Sequence, residues 1–169
     1  MDRRDFLQHL AGLTSGLLLT GASAGAADSS QAASDRLGEL LPRRKLGGTG
    51  VAVTMLGLGG SHVSRMNDEE AQATIEASLE GGVRFFDTAE SYGNGRSERL
   101  YGQYLTPDYR DVAFIMSKTT ARDAETAREH LEGSLRRMNT DYLDLWQVHS
   151  LQSPGDVDRR IENGVLDVV

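Results

Sequence analysis

Three apolar runs in this sequence each give way to one titratable residue, and the three residues differ in type. Val83-Arg-Phe-Phe ends at Asp87, Val112-Ala-Phe-Ile-Met-Ser at Lys118, and Tyr142-Leu-Asp-Leu-Trp-Gln-Val at His149. A carboxylate, an ammonium and an imidazole brought to one place form a set that can hold and move protons. A phenol joins them, because Tyr92 follows Asp87 closely in Asp-Thr-Ala-Glu-Ser-Tyr-Gly93. A lysine beside a phenol favours its ionised form and makes it a usable general acid. Asp87 would keep that lysine charged and in place. Composition adds weight to Lys118: it and Lys45 are the only lysines among 18 basic residues, so its position asks for a compact ammonium where arginine would not serve. Taken singly, each residue also has a plainer reading. Tyr92 is then a packed loop aromatic, Asp87 and Lys118 a structural ion pair, and any strand-end polar residue a loop cap.

The elements that must position these residues follow from periodicity and caps. Arg44 to Val53 reads as a glycine-turn hairpin, and Thr54 to Gly60 as a short apolar strand entering a glycine loop. Asn67 and Glu70 make a capping box ahead of Ala71, Ile75 and Leu79 at helical spacing, and Gly81-Gly82 stops that helix. Val83 to Asp87 is the next strand. Ser97 is expected to cap a helix whose Leu100, Tyr101, Tyr104 and Leu105 share one face, with Pro107 beyond its end. Val112 to Ser117 is a third strand. Asp123 caps a longer helix with Ala127, Leu131, Leu135 and Met138 on one face, and Tyr142 to Val148 is a fourth strand. Strands alternating with helices predict a parallel sheet. Asp87, Lys118 and His149 then fall on its C-terminal rim, where α/β folds build their sites.

Composition bounds the rest. The 169 residues carry 18 Lys+Arg against 25 Asp+Glu, a net charge of −7, with 38% hydrophobic residues. Such a balance argues against nucleic acid as a partner, whose binding rests on phosphate neutralisation. With no cysteine, disulfides, thiolate catalysis and Cys-based metal sites are excluded. Residues 1–27 read as an address rather than part of the fold: Arg3 and Arg4 stand ahead of Phe6 and Leu7, a short apolar run extends from Leu10 to Thr20, and small residues reach Ala27. This stretch resembles a bacterial twin-arginine export signal, cleaved near Ala26 or Ala27, and implies a periplasmic or extracellular destination. The run is too short for a stable membrane anchor. Residues 28–42 read as a polar linker.

From Arg43 to Val169 the sequence resembles the aldo-keto reductases. The resemblance is carried by Phe85-Phe-Asp-Thr-Ala-Glu-Ser-Tyr-Gly-Asn-Gly-Arg-Ser-Glu98, then by Ser117-Lys-Thr119, Asp141-Tyr-Leu-Asp-Leu-Trp-Gln-Val-His149 and Leu56-Gly-Leu-Gly-Gly60. It implies a (β/α)8 TIM barrel that uses NADP(H) to reduce aldehydes or ketones, with a small carbonyl compound as substrate. The family's tetrad falls on Asp87, Tyr92, Lys118 and His149. Tyr92 would protonate the carbonyl oxygen, Lys118 oriented by Asp87 would tune the phenol, and His149 would orient the carbonyl. Gly59, Gly60 and Ser61 match the loop near the cofactor, and Asp87 lies against it as well. A closed barrel of this type needs about 250 residues. The chain is therefore expected to hold about the first four β/α units, residues 43–169 being the N-terminal half of a longer barrel that could self-associate if expressed alone.

Competing motifs fail on their spacing. A dinucleotide Gly-x-Gly-x-x-Gly would need glycine where His62 or Val53 stands. His130 has no ligand partner at helical spacing, so no metal site is expected. Asp87 and Glu90 could pose as a glycosidase carboxylate pair, a reading nothing else in the sequence supports. Two functions remain open: an NAD(P)H-dependent carbonyl reductase, and a catalytically silent half-barrel serving as a binding or assembly module.

Overall fold

The computed structural model describes residues 33–168. The address over residues 1–27, and residues 28–32 of the expected linker, lie outside them. The rest of that linker is structured. Strands β1 (Ser34–Asp35) and β2 (Gly38–Glu39) form an antiparallel hairpin, held to the body by Asp35, whose two carboxylate oxygens accept from Arg84 Nε at 2.6 Å and Nη2 at 2.9 Å. Local polarity suggested a linker because the stabilising partner is remote in sequence. The hydrogen bonds from Arg84 hold the Asp35 carboxyl below the usual carboxylate range. A lowered folded-state value contributes stability that is present above the unfolded value, about pH 4, and is lost as pH falls further. Asp35→Asn is thus expected to lower the urea midpoint at pH 7 and to flatten its decline between about pH 5 and pH 2. A decline as steep as in the unsubstituted protein would remove this pair from the acid response.

The expected second hairpin is present as β3 (Arg43–Lys45) and β4 (Ala52–Thr54). The main sheet follows, with β5 (Gly57–Gly59), β6 (Phe85–Asp87), β7 (Phe114–Thr119) and β8 (Leu145–Val148) in sequential order, all parallel. A short helix α1 (Gly60–Val63) leaves β5 directly. Helix α2 (Asp68–Glu80) has both arms of the Asn67–Glu70 capping box, buries Ala71, Ile75 and Leu79, and ends at Gly81, as the sequence predicts. After β6 come α3 (Arg96–Tyr104) and one turn, α4 (Thr106–Tyr109), with Pro107 in the turn where its missing N–H costs nothing. Asp123 caps α5 (Ala124–Arg137) by accepting from Thr126 N, and α6 (Pro154–Glu162) follows β8. No described helix is long and apolar enough to cross a membrane.

Side chains alternate across each strand, so each strand writes two rows. One row faces the helices: Leu58, Phe86 and Ile115 pack with Ile75, Leu79, Leu100, Tyr101, Leu105 and Met138, while Trp146 and Val148 pack with Ala121, Ala127 and Val165. The other row faces away from them. It begins with Gly57, whose missing side chain makes room for the Phe85 ring, and with Phe85 edge-on to Phe114 at 5.5 Å. It ends at the rim with Gly59, Asp87, Lys118 and His149. The strand expected from Tyr142 starts only at Leu145, because the Asp144 side chain accepts from Ile115 N at 2.8 Å and also pairs with Arg110. Leu131 and Leu135, which share a helical face with Ala127 and Met138, are half-buried and line an open groove with Tyr142, Leu143 and Trp146.

Candidate active site

The parallel register lines up the strand ends. Gly59 pairs with Asp87, Asp87 with Met116, Lys118 with Gln147, and His149 N donates to Thr119 O at 2.8 Å just beyond the last rung. On this rim Lys118 Nζ donates to Asp87 Oδ2 at 2.5 Å and to Thr88 O at 2.8 Å. Two fixed acceptors leave the ammonium little freedom, and its side chain is only 12% exposed. It meets Tyr92 through the ring, with Nζ 4.9 Å from the centroid, in cation–π range. The Tyr92 ring in turn stands edge-on to His149, centroids 5.6 Å apart at 81°. All four residues singled out from the sequence therefore converge. Ser91 Oγ lies 3.4 Å from His149 Nδ1, which turns Nδ1 toward the loop and leaves Nε2 for a ligand.

The loop that carries Tyr92 turns sharply. Gly93, Asn94 and Gly95 have φ of 60°, 53° and 76° in succession, so the chain doubles back to start α3. Gly95, not Ser97, is the N-cap of α3. Ser97 lies inside the first turn, fully buried, and accepts from Thr88 Oγ1 at 2.7 Å, which fastens the helix to the residue after Asp87. A serine at a helix start looks the same in sequence whether it caps the helix or bonds a strand.

Of the glycine loop, Gly59 is bare: no atom lies within 4 Å of where a Cβ would stand. Gly60 is different, since a Cβ there would fall 2.6 Å from the Asp87 carbonyl oxygen. Its glycine serves the close approach of α1 to β6. Ser61 is half-buried, and its carbonyl accepts from Ser64 Oγ at 2.8 Å.

Several residues that support the site were not singled out from the sequence. Glu98 is fully buried, accepting from Ser117 Oγ and from Arg137 Nε at 2.6 Å each. It joins α3, α5 and the residue before Lys118. Tyr101 places its hydroxyl within 3.2 Å of Leu58 O and 3.3 Å of Asp87 O. Burial, and then the Asp87 charge, push its phenol far up, so this second tyrosine under the rim keeps its proton. Asp87 and Glu90 do not form a carboxylate pair. Asp87 is committed to Lys118, and Glu90 turns away to Thr120. Among the described residues, no group of three or more His, Asp or Glu is placed to hold a metal ion.

Comparison with known proteins adds a family. The profile of the aldo/keto reductase family matches residues 55–163. Over 118 residues the chain is 36% identical to the aldo-keto reductase YhdN of Bacillus subtilis, an alignment covering 60% of this chain and 35% of that one. The holo form of an aldo-keto reductase from Bacillus halodurans superposes with a TM-score of 0.63 at 27% identity, covering 73% of this chain and 45% of its own. An aldo-keto reductase of Klebsiella pneumoniae, solved in complex with NADPH, gives 0.58 at 27% identity, covering 70% and 43%. The four strands and their helices are thus consecutive units of a (β/α)8 TIM barrel. The chain spans between about a third and a half of the length of these relatives.

Proposed function

Because this chain belongs to the aldo/keto reductase family, we propose that it supplies the catalytic rim of an oxidoreductase that reduces a small aldehyde or ketone with NADP(H). The observation that carries this reading is the convergence of Asp87, Lys118, Tyr92 and His149 on one strand-end rim. The donor set suits the cofactor. Bare backbone at Gly59 leaves open space beside Asp87, and phenol, ammonium and imidazole stand together where charge develops. Gly59, Gly60, Ser61 and Asp87 are the residues of this chain that would hold NADP(H), which supplies a hydride when bound.

The chain's own residues do the rest. Tyr92 holds the proton on its phenolic oxygen and would give it to the carbonyl oxygen as the carbonyl carbon takes up hydride and C=O becomes CH–OH, leaving a phenolate. Lys118, anchored by Asp87 and the Thr88 carbonyl, sets a positive charge beside that ring and stabilises the phenolate. His149, with Nδ1 toward Ser91, offers Nε2–H to orient the carbonyl. The test is consumption of NADPH by the whole protein with a panel of small aldehydes and ketones. Consumption with none of them, with NADPH unbound, would leave the reading of a catalytically silent binding or assembly module.

We further propose that residues 1–27 direct export by the twin-arginine route to the periplasm or beyond, a route that carries proteins already folded. The Arg3-Arg4 pair and the short apolar run support this reading. Replacing both arginines with lysine is expected to leave the precursor uncleaved in the cytoplasm. Unchanged processing would point to the general secretory route or to no signal.

A further inference from the structure

The proposed chemistry needs Tyr92 and Lys118 in a fixed relation, yet they sit on different segments. Lys118 is in β7, a six-residue strand paired on both sides. Tyr92 is on the loop that runs into the left-handed Gly93-Asn94-Gly95 turn, beside the exposed Ser91. Backbone pairing between β6 and β7 fades along this loop. Thr88 N donates to Met116 O at 2.9 Å, but Glu90 N reaches Lys118 O only at 3.5 Å.

At that point a side chain takes over. Glu90 Oε1 accepts from Thr120 N at 2.9 Å and from Thr120 Oγ1 at 2.6 Å, and His130 Nδ1 stands 3.4 Å from the same oxygen. The Glu90 side chain is 9% exposed although Thr120 itself is open to solvent, and a carboxylate acceptor holds its donors more strongly than a neutral one. The other half of the contact is braced through the same histidine. Thr119 Oγ1 lies 2.9 Å from His130 Nδ1 and accepts from Ala121 N at 3.0 Å, tying the end of β7 to helix α5. Glu90 is two residues from Tyr92, and Thr120 is two residues from Lys118.

We propose that Glu90 is a positioning residue: its carboxylate clasps the Tyr92 loop to the chain just after Lys118 and so holds the phenol against the ammonium. This rests on the reductase reading for its catalytic consequence, but the clasp itself does not. Neither Glu90 nor Thr120 is given a part in proton transfer.

Two readouts on the whole protein separate the clasp from the reading it deepens. Hydrogen exchange in Glu90→Ala is expected to speed up about tenfold in peptides covering residues 88–95 and 119–123, while helix α2 keeps its protection. Glu90→Gln keeps an acceptor oxygen and is expected to restore most of the protection. Thr120→Val removes one donor and is expected to give a smaller change in the same two segments. The second readout is kcat for carbonyl reduction, expected to fall up to about a hundredfold in Glu90→Ala through misplacement of the phenol. The carbonyl KM and NADPH affinity should change less than about threefold, and Glu90→Gln should recover most of the rate. Unchanged exchange in Glu90→Ala overturns the clasp. Faster exchange with undiminished kcat overturns the positioning role. If the unsubstituted protein reduces no carbonyl compound, the reductase reading falls, and exchange alone decides whether Glu90 orders the loop.

Discussion

Replacing Tyr92 by phenylalanine in the whole protein is expected to lower carbonyl reduction by about 10²–10⁴-fold, the range that a positioned proton donor contributes. The substitution removes one oxygen and little else. The ring can keep its edge-on contact with His149 at 5.6 Å and its place 4.9 Å from the Lys118 ammonium. NADPH affinity should therefore stay within about twofold, so the loss appears in kcat rather than in cofactor binding. Tyr101 supplies an internal control. It is a phenol under the same rim, but it is fully buried and donates to backbone carbonyls. Tyr101→Phe should cost about 1 kcal/mol of stability and leave the rate nearly unchanged. If Tyr92→Phe turned over normally, or Tyr101→Phe lost the rate, the proton donor would have been misassigned.

The largest effect on stability is expected at Glu98. Its carboxylate has no access to water and satisfies two donors, Ser117 and Arg137, from two other elements. Truncation to alanine leaves the guanidinium of Arg137 without its partner and the Ser117 hydroxyl without its acceptor. Arg137 keeps 28% of its side chain exposed, so the loss should fall short of the about 3–5 kcal/mol of a fully buried pair and come to about 1.5–3 kcal/mol, a sizeable part of the roughly 5–15 kcal/mol that holds a domain together. Glu98→Gln keeps an acceptor for Ser117 and should lose distinctly less. Urea midpoints of the two variants decide it. A loss below about 1 kcal/mol for Glu98→Ala would place this ion pair with exposed ones, whose contribution is small.

These two predictions differ in how far sequence alone could have led to them. The place of Tyr92 on the rim was legible because its signal is local: strand ends declare themselves by the switch from apolar run to titratable residue, and the phenol lies a few positions on. The α2 helix was legible for the same reason, since capping box, apolar spacing and glycine stop lie within sixteen residues, 67–82. Glu98 was not, because its partners are 19 and 39 residues away and nothing in the intervening chain marks them. The same holds for Asp35, which made its segment look like a linker although its arginine stands 49 residues on. Ser97 misled in the other direction. Its position ahead of an apolar face satisfied a local rule, while its actual bond goes to Thr88, just past the end of β6. Leu131 and Leu135 kept helical spacing, yet spacing says only which face they share. It does not say that another element covers that face.

The two rows written by each strand have a consequence for how such a protein can change over generations. Neighbours in sequence answer to different demands: Phe86 and Ser117 touch helices, whereas Asp87 and Lys118 touch only the rim. Mutations at the first kind are filtered by whether the chain folds, and at the second by whether it still does its work. A lineage can therefore exchange one chemistry for another by altering alternate positions near the strand ends, without renegotiating the packing beneath. Selection for solubility alone, applied to a randomised β6 and β7, should leave Phe86, Ile115 and Ser117 nearly fixed while Asp87 and Lys118, which neutralise each other, change together.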